Sequence, residues 1–267
     1  VAGGAGGSWG GGVRSDVSGR PAHRWRRVWR AVDQFVFPRA CAACGEAMID
    51  QDAGLVCGLC WARVARLPHP QCDRCGHPGR GSGPCRTCAT LPPFVRAVRS
   101  YAWVPDPAAS AIIGALKYEG WPGVAAAIGA RLARLRFPAD VIRERAAVVP
   151  VPLAADRERH RGFNQSRVLA DAVARAWDLP VCEALRRTRA TPSQTRLTPM
   201  ERLANVHGAF APVPARVETL IGHHVLLVDD VFTTGATLNA CAASLFAAGA
   251  RTISYLTFGR ARGLGDP

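Results

Sequence analysis

Residues Val225 to Leu238 read VLLVDDVFTTGATL, and the order of residue types in that string decides the architecture around it. Val225 to Val228 form a short apolar run of the kind that makes a fully buried strand. The run ends in two adjacent carboxylates, Asp229 and Asp230. A loop of small and hydroxyl-bearing residues follows, Thr233, Thr234, Gly235, Ala236 and Thr237, and then a helical pattern from Leu238 to about Ala248. Backbone N–H groups at the start of a helix have no partner within it and favour an anion. Gly235 lets the backbone approach closely, and threonine hydroxyls add donors for phosphate oxygens. Two carboxylates cannot hold phosphate themselves; they suit ribose hydroxyls or a magnesium-bound group. The string therefore predicts a site for a phosphorylated sugar. An ordinary strand-to-helix turn with an acidic start is the plainer alternative, and it suits the acidic pair alone better than the whole string.

Working outward, the chain beyond the Pro92-Pro93 pair alternates strand and helix patterns. Phe94–Val104 reads as strands, Ala108–Glu119 and Gly123–Leu135 as helices, and Ala146–Val151 as a strand running into Pro152. Gln165–Trp177 is a predicted helix with Asn164 as its N-cap, and Thr252–Phe258 a further strand. This alternation predicts an α/β fold, a mainly parallel sheet with helices on both faces. In such sheets the ligand crevice lies beyond the carboxyl ends of the strands, where the Asp229-Asp230 loop falls. Two arginine-rich loops are candidates for the same edge. Pro150–Asn164 carries Arg157, Arg159, His160 and Arg161, with Gly162 for a tight turn. Leu185–Phe210 is long and polar, which suits a binding loop or lid. Solvated surface loops are the competing readings of both.

Eight of the ten cysteines fall in four C-x-x-C pairs: Cys41/Cys44, Cys57/Cys60, Cys72/Cys75 and Cys85/Cys88. A tetrahedral Zn²⁺ takes four thiolates, so four pairs predict two ions. With four thiolates per ion no coordination position stays open, so the metal would be structural. Sequential pairing gives a double zinc ribbon and is preferred; interleaved pairing fits the spacing too. A disulfide framework suits a chain with no secretory signal poorly. A module of this kind has little apolar core, so metal binding supplies much of its folding free energy. Cys182 and Cys241 stand alone in apolar contexts and read as buried core thiols.

The remaining N-terminal residues divide in two. Residues 1–22 are rich in glycine and read as a disordered tail. Residues 23–37 show helical periodicity, with Trp25, Val28, Trp29, Val32, Phe35 and Val36 on one face and arginines on the other. Docking on the neighbouring domain is the preferred reading of that helix; contact with nucleic acid or a membrane surface is the other. A first residue of Val leaves the natural start of the chain open. The net charge of +14 comes almost wholly from arginine, Lys117 being the one lysine, and favours a polyanionic partner. A GC-rich genome produces the same bias, so charge alone names no partner. No apolar run reaches the roughly 18 residues needed to span a bilayer, and no leader-like segment opens the sequence. A cytoplasmic protein is expected.

VDDVFTTGAT closely resembles the signature of type I phosphoribosyltransferases, enzymes that use 5-phosphoribosyl-1-pyrophosphate (PRPP). The cysteine-rich module, ALKYEG, PVP followed by RGFNQS, and TPSQTRLTPMERLANVHGAF extend the resemblance, over about Phe35–Gly259, to the ComF-type competence protein family. The resemblance implies a type I phosphoribosyltransferase-like domain over 93–260, preceded by a double zinc ribbon over 38–92, with a short tail at 261–267. It implies that Asp229 and Asp230 contact the ribose hydroxyls and that Thr233–Thr237 cradle the 5-phosphate. Val151 and Pro152 would belong to the pyrophosphate loop. Lys117 and Arg161 would be candidate pyrophosphate contacts, and Gln194, Arg202 and Asn205 would match the mobile loop. Mg²⁺ would accompany PRPP, and single-stranded DNA and a DNA-uptake helicase would be the partners.

The reaction so implied displaces pyrophosphate from C1 of PRPP by a nitrogen nucleophile, through an oxocarbenium-like transition state. The sequence names neither the acceptor nor a general base, and with nine residues after Phe258 a C-terminal hood over a base is not expected. A non-catalytic PRPP- and single-stranded-DNA-binding accessory protein is the second reading. An aromatic content of 7% is low for a protein that stacks bases.

Overall fold

The computed structural model describes residues 40–48, 55–79, 85–118, 122–188 and 208–263. The helix expected over 23–37, the tail at 1–22 and Gln194, Arg202 and Asn205 lie outside the described residues, as does most of the expected 261–267 tail.

Strands β1 (Val95–Val104), β2 (Arg145–Pro150), β5 (His224–Phe232) and β6 (Thr252–Ala261) form one parallel sheet in the order β1-β6-β5-β2. A separate antiparallel pair joins β3 (Leu185–Arg187) to β4 (Phe210–Pro212). The apolar half of the decisive string thus runs through the sheet interior, where no edge backbone is left to satisfy, and Val228 is registered with Leu256 on β6 and Pro150 on β2.

Side chains of a strand alternate between faces, and β5 shows the consequence. Leu226 and Val228 join one apolar core; Val225 and Leu227 join a second core on the other face. The first core is closed by helices α3 (Pro107–Tyr118), α4 (Pro122–Leu132), α5 (Ala139–Glu144) and α7 (Gln165–Trp177). The second is closed by α9 (Ala236–Ala247) and by α8 (Pro214–Val217). Gly129 sets the approach of α4 to α7: a Cβ there would lie 2.3 Å from that of Ala172. The expected parallel sheet with helices on both faces is what the chain forms.

Within that frame three local readings change. The strands expected over Phe94–Val104 are one ten-residue strand, Val95–Val104. The expected loop Pro150–Asn164 contains a helix, α6 (Ala155–Arg161), none of whose residues is buried. A helix polar all round has no apolar period to reveal it. Its acids Asp156 and Glu158 sit in the first turn and Arg159, His160 and Arg161 in the last, which suits the helix dipole. Finally, Cys182 is only partly buried, with its Sγ 3.4 Å from the Arg216 carbonyl oxygen, whereas Cys241 is a core thiol as expected.

The cysteine-rich segment, with short helices α1 (Gly58–Arg63) and α2 (Arg86–Ala89), is built onto the free edge of the sheet. Its connector extends β1: Trp103 N–H donates to the Ala65 carbonyl at 2.8 Å and Leu67 N–H to that of Tyr101 at 3.2 Å. Trp61 sits edge-on to Tyr101 and Phe258 in the first core, with the Arg131 guanidinium 3.5 Å above its ring. Arg74 donates to the carbonyls of Val95, Cys88, Leu91 and Pro92. The segment therefore shares the core of the sheet instead of building its own. A small metal-stabilised module has too little surface to bury for that.

Candidate functional site

A cleft of about 230 Å³ opens at the carboxyl ends of β2 and β5, the place expected for a ligand in a parallel sheet. Asp229, Asp230, Thr233, Gly235, Ala236 and Thr237 line it from the β5–α9 connection, Val151 and Pro152 from the end of β2, Lys117 from α3 and Arg161 from α6. Thr234 does not line it; its Oγ1 accepts from the Ala236 N–H at 3.4 Å, which shapes the turn into α9. The cleft also takes in Gln165, Ser166 and Arg187, to which no role had been assigned from sequence, and Arg157. A neighbouring cleft of about 310 Å³ is lined by Lys117, Asp156, Arg157, His160 and Arg161, so the basic side of α6 continues the first.

The turn into α9 depends on Gly235. Its φ is +77°, and a Cβ would lie 3.0 Å from Cζ of Phe232, whose buried ring closes the space beneath. Gly235 is also the N-cap of α9 and offers no side-chain bond, and the first turn holds no acidic residue. Nothing there competes with an incoming anion for the positive end of the helix.

The carboxylates are held differently. Both are nearly buried. Asp229 Oδ1 accepts from Ser166 Oγ at 2.8 Å and from the Asp230 N–H at 2.9 Å. Asp230 Oδ2 lies 2.5 Å from Lys117 Nζ. Burial, and then the adjacent Asp230, push the Asp229 carboxyl up to about 7 against the pull of Ser166 and Lys117. The Asp229 carboxyl therefore holds a proton over part of the neutral range, and a bound cation would expel it.

Asn164 ties this pair to the β2 loop. Its Oδ1 accepts the Ser166 N–H at 3.0 Å, which is the predicted cap of α7, and its Nδ2 donates to the Val151 carbonyl at 3.0 Å. One cap thus positions Val151 on one side and, through Ser166, Asp229 on the other. Ser166 escaped the sequence reading because nothing local distinguishes a serine in a helix's first turn from a solvated one.

The cysteines gather as Cys41, Cys44, Cys57 and Cys60 in one cluster and Cys72, Cys75, Cys85 and Cys88 in the other, the sulfurs of each within 4.8 Å of one another. This is the sequential arrangement. Although burial opposes it, N–H groups of Cys57, Ala43 and Cys44 bring the Cys41 thiol down to about 6. Those of Cys75 and Arg74 likewise hold the Cys72 thiol at about 7. Four soft donors at this spacing, one already acidic in each set, are compatible with structural zinc. Among the described residues no helix is long and apolar enough to cross a membrane.

Known proteins match the same two regions. Residues 32–89 match a family model described as a double zinc ribbon domain, and residues 164–264 one described as a phosphoribosyl transferase domain. The DNA utilization protein YhgH of Salmonella typhi is 34% identical over 212 residues, covering 74% of this chain and 87% of the relative. Competence protein F of Haemophilus influenzae is 34% identical over 116 residues, covering 43% of this chain and 50% of the relative. Competence protein ComFC of Bacillus subtilis is 24% identical over 212 residues, covering 76% and 82%.

Proposed function

The chain belongs to the ComF-type competence protein family, and we propose that it binds PRPP and transfers the phosphoribosyl group to a nitrogen acceptor. The observation that carries this reading is the joining of the Asp229-Asp230 pair and the Thr233–Thr237 turn in one cleft with Val151 and Pro152. The 5-phosphate is assigned to the turn and the α9 N-terminus, where N–H and hydroxyl donors meet no acid. The ribose hydroxyls are assigned to Asp229 and Asp230, and the pyrophosphate to Val151, Pro152, Lys117 and Arg161. In the reaction the bond from C1 to the pyrophosphate oxygen breaks, a bond from the acceptor nitrogen to C1 forms, and the acceptor's proton passes to solvent or to the leaving group. Mg²⁺ arriving with PRPP beside Asp229 and Asp230 would supply positive charge against the leaving group. The arginines of α6 add fixed charge on the same side. We assign one structural Zn²⁺ to each cysteine cluster, and reduced thiols as ligands suit the cytoplasm.

The test is pyrophosphate release from PRPP and Mg²⁺ across a panel of nucleobases and simple amines, beside an Asp229→Asn/Asp230→Asn double variant. Release that requires one acceptor and is lost in the variant establishes the transferase. PRPP binding without release for any acceptor turns the reading towards its second form, a PRPP- and single-stranded-DNA-binding accessory protein. Two observations favour keeping that form. Relatives carry names of DNA utilization and competence proteins, and the cleft continues into a basic second one. Binding to single strands that weakens steeply with salt supports it, and a helicase of DNA uptake would then be a partner.

A further inference from the structure

The turn assigned to the 5-phosphate is tied at Gly235, by two routes, to the second cysteine cluster outside the transferase sheet. On the first route the Phe232 ring lies under Gly235, with Cζ 3.0 Å from where a Cβ would stand. The Arg260 guanidinium sits 5.0 Å from the centre of that ring and donates to the carbonyl of Cys75 at 2.6 Å. Cys75 is fully buried and supplies one sulfur of the second cluster. On the second route Asn239, in the opening turns of α9, donates its backbone N–H to the same Gly235 at its carbonyl, 2.7 Å away, in the first turn of that helix. Its side-chain Nδ2 donates to the Thr90 carbonyl at 3.0 Å. Thr90 caps the short helix that carries Cys88, and its own N–H returns to the Cys88 carbonyl. Tyr255 fixes the rotamer by donating to Asn239 Oδ1 at 3.0 Å.

Two chains of contact therefore run from one cluster and converge on Gly235 in the anion-binding turn. Phe232 and Arg260 are buried and Asn239 is held by bonds in both directions, so none of these side chains has freedom to absorb a shift of the ribbon. A metal that fixes the four sulfurs fixes the Cys75 and Thr90 carbonyls, and these place Arg260 and Asn239. Without it, these carbonyls lose the constraint that the sulfurs add to the bonds from Arg74 to Cys88 and from Val98 to Arg74.

The geometry points to Arg260 and Asn239 as positioning residues through which metal in the second cysteine cluster sets the affinity of the phosphate turn. This rests on the assignment of that turn to the 5-phosphate of PRPP. Thermodynamic reciprocity then requires that a ligand of the turn strengthen metal binding at this cluster by the same factor.

The experiment uses the full chain loaded with Co²⁺, whose thiolate bands report each cluster, and ribose 5-phosphate as the probe. Calorimetry gives the probe's affinity, and a competing chelator follows metal loss in its presence and absence. The expected result is that, at equilibrium with the chelator, one cluster keeps its ion to a higher chelator concentration when ribose 5-phosphate is present and the other does not. Asn239→Ala and Arg260→Met, each still holding two ions, should weaken the probe roughly tenfold and abolish that shift. Arg260→Lys, which keeps a donor for the Cys75 carbonyl, should restore part of the affinity. Should Arg260→Met fail to fold, Asn239→Ala, whose partner Thr90 is exposed, decides alone. Unchanged probe affinity in the folded variants, with metal loss indifferent to the probe, overturns the coupling while leaving the phosphate site in place. Absence of ribose 5-phosphate and PRPP binding by the parent chain overturns the site assignment and the coupling with it.

Discussion

Lys117 and Asp230 form an ion pair, Nζ to Oδ2 at 2.5 Å, beside the other carboxylate, Asp229, which accepts from the Ser166 hydroxyl and the Asp230 N–H. The one lysine of the chain thus balances one of two adjacent acids. A ligand that brings a metal must compete with it, and one that brings pyrophosphate offers it a second partner.

Lys117→Gln removes that cation and leaves two nearly buried carboxylates side by side. The Asp229 carboxyl should move up further, since Lys117 pulls it down, and PRPP affinity at pH 7 should fall about 10- to 100-fold. Calorimetry at pH 7 and 8.5 checks this. The loss should shrink at the higher pH, where Asp229 ionises without help. Equal loss at both values would mean that Lys117 acts only as a direct pyrophosphate contact.

Asp229 gives a stability prediction of unusual sign. Its carboxyl titrates near 7 in the folded chain through burial and then the Asp230 charge, above the ordinary value near 3.8 that it has when unfolded. The folded form therefore holds a proton that the unfolded form has lost between those values. The associated stability is full below the unfolded value and disappears as pH rises through about 7. Asp229→Asn keeps an acceptor for Ser166 and carries no charge, so it should raise the ligand-free stability at pH 8 by about 1–3 kcal/mol while removing PRPP binding. Urea denaturation at pH 5 and 8 reads both arms. A variant that is less stable at pH 8 would contradict the burial argument.

Gly235→Ala places a Cβ against the Phe232 ring in a backbone with φ of +77°. The cost in stability should be about 1–2 kcal/mol, with a larger loss in phosphate affinity because the turn itself must shift. Thermal unfolding with and without ribose 5-phosphate separates the two effects. The parent should gain in Tm from the ligand and the variant should not.

His224, at the start of β5, titrates far from the cleft. Burial, the leading cause, brings it down to about 4, and its Nε2 lies 2.9 Å from Ser254 Oγ. The unfolded chain takes up a proton near 6.5 that the folded chain refuses. Stability is therefore full above about 6.5 and lost as pH falls from there towards 4. In His224→Gln the acid slope between those values should flatten, by up to about 3 kcal/mol across the window. Denaturation midpoints at pH 4.5, 5.5 and 7 measure it. An unchanged slope would assign acid sensitivity to other groups.

Features whose cause lies within a few residues could be read from the chain alone. The apolar run ending in Asp229 and Asp230 announces a buried strand meeting a polar edge, because burial on both faces demands unbroken apolar residues. The paired cysteines announce metal, because a C-x-x-C turn presents two thiols to one ion. Asn164 announces a helix start, because its cap spans only two residues. Helix α6 stayed hidden because it buries nothing and shows no apolar period.

What tertiary structure decided is which distant groups meet. Ser166 reaches Asp229 across 63 positions of sequence, because α7 packs over β2 and β5. Lys117 meets Asp230 because α3 lies on the face of the sheet whose carboxyl edge carries the acids. Arg260 meets Cys75 across 185 positions, because β6 neighbours β1 and the ribbon occupies the β1 edge. The sequence supplied the groups and their local conformations. Strand order and the packing of two cores supplied their neighbours, since contacts made by burial depend on which surfaces face each other and not on separation along the chain.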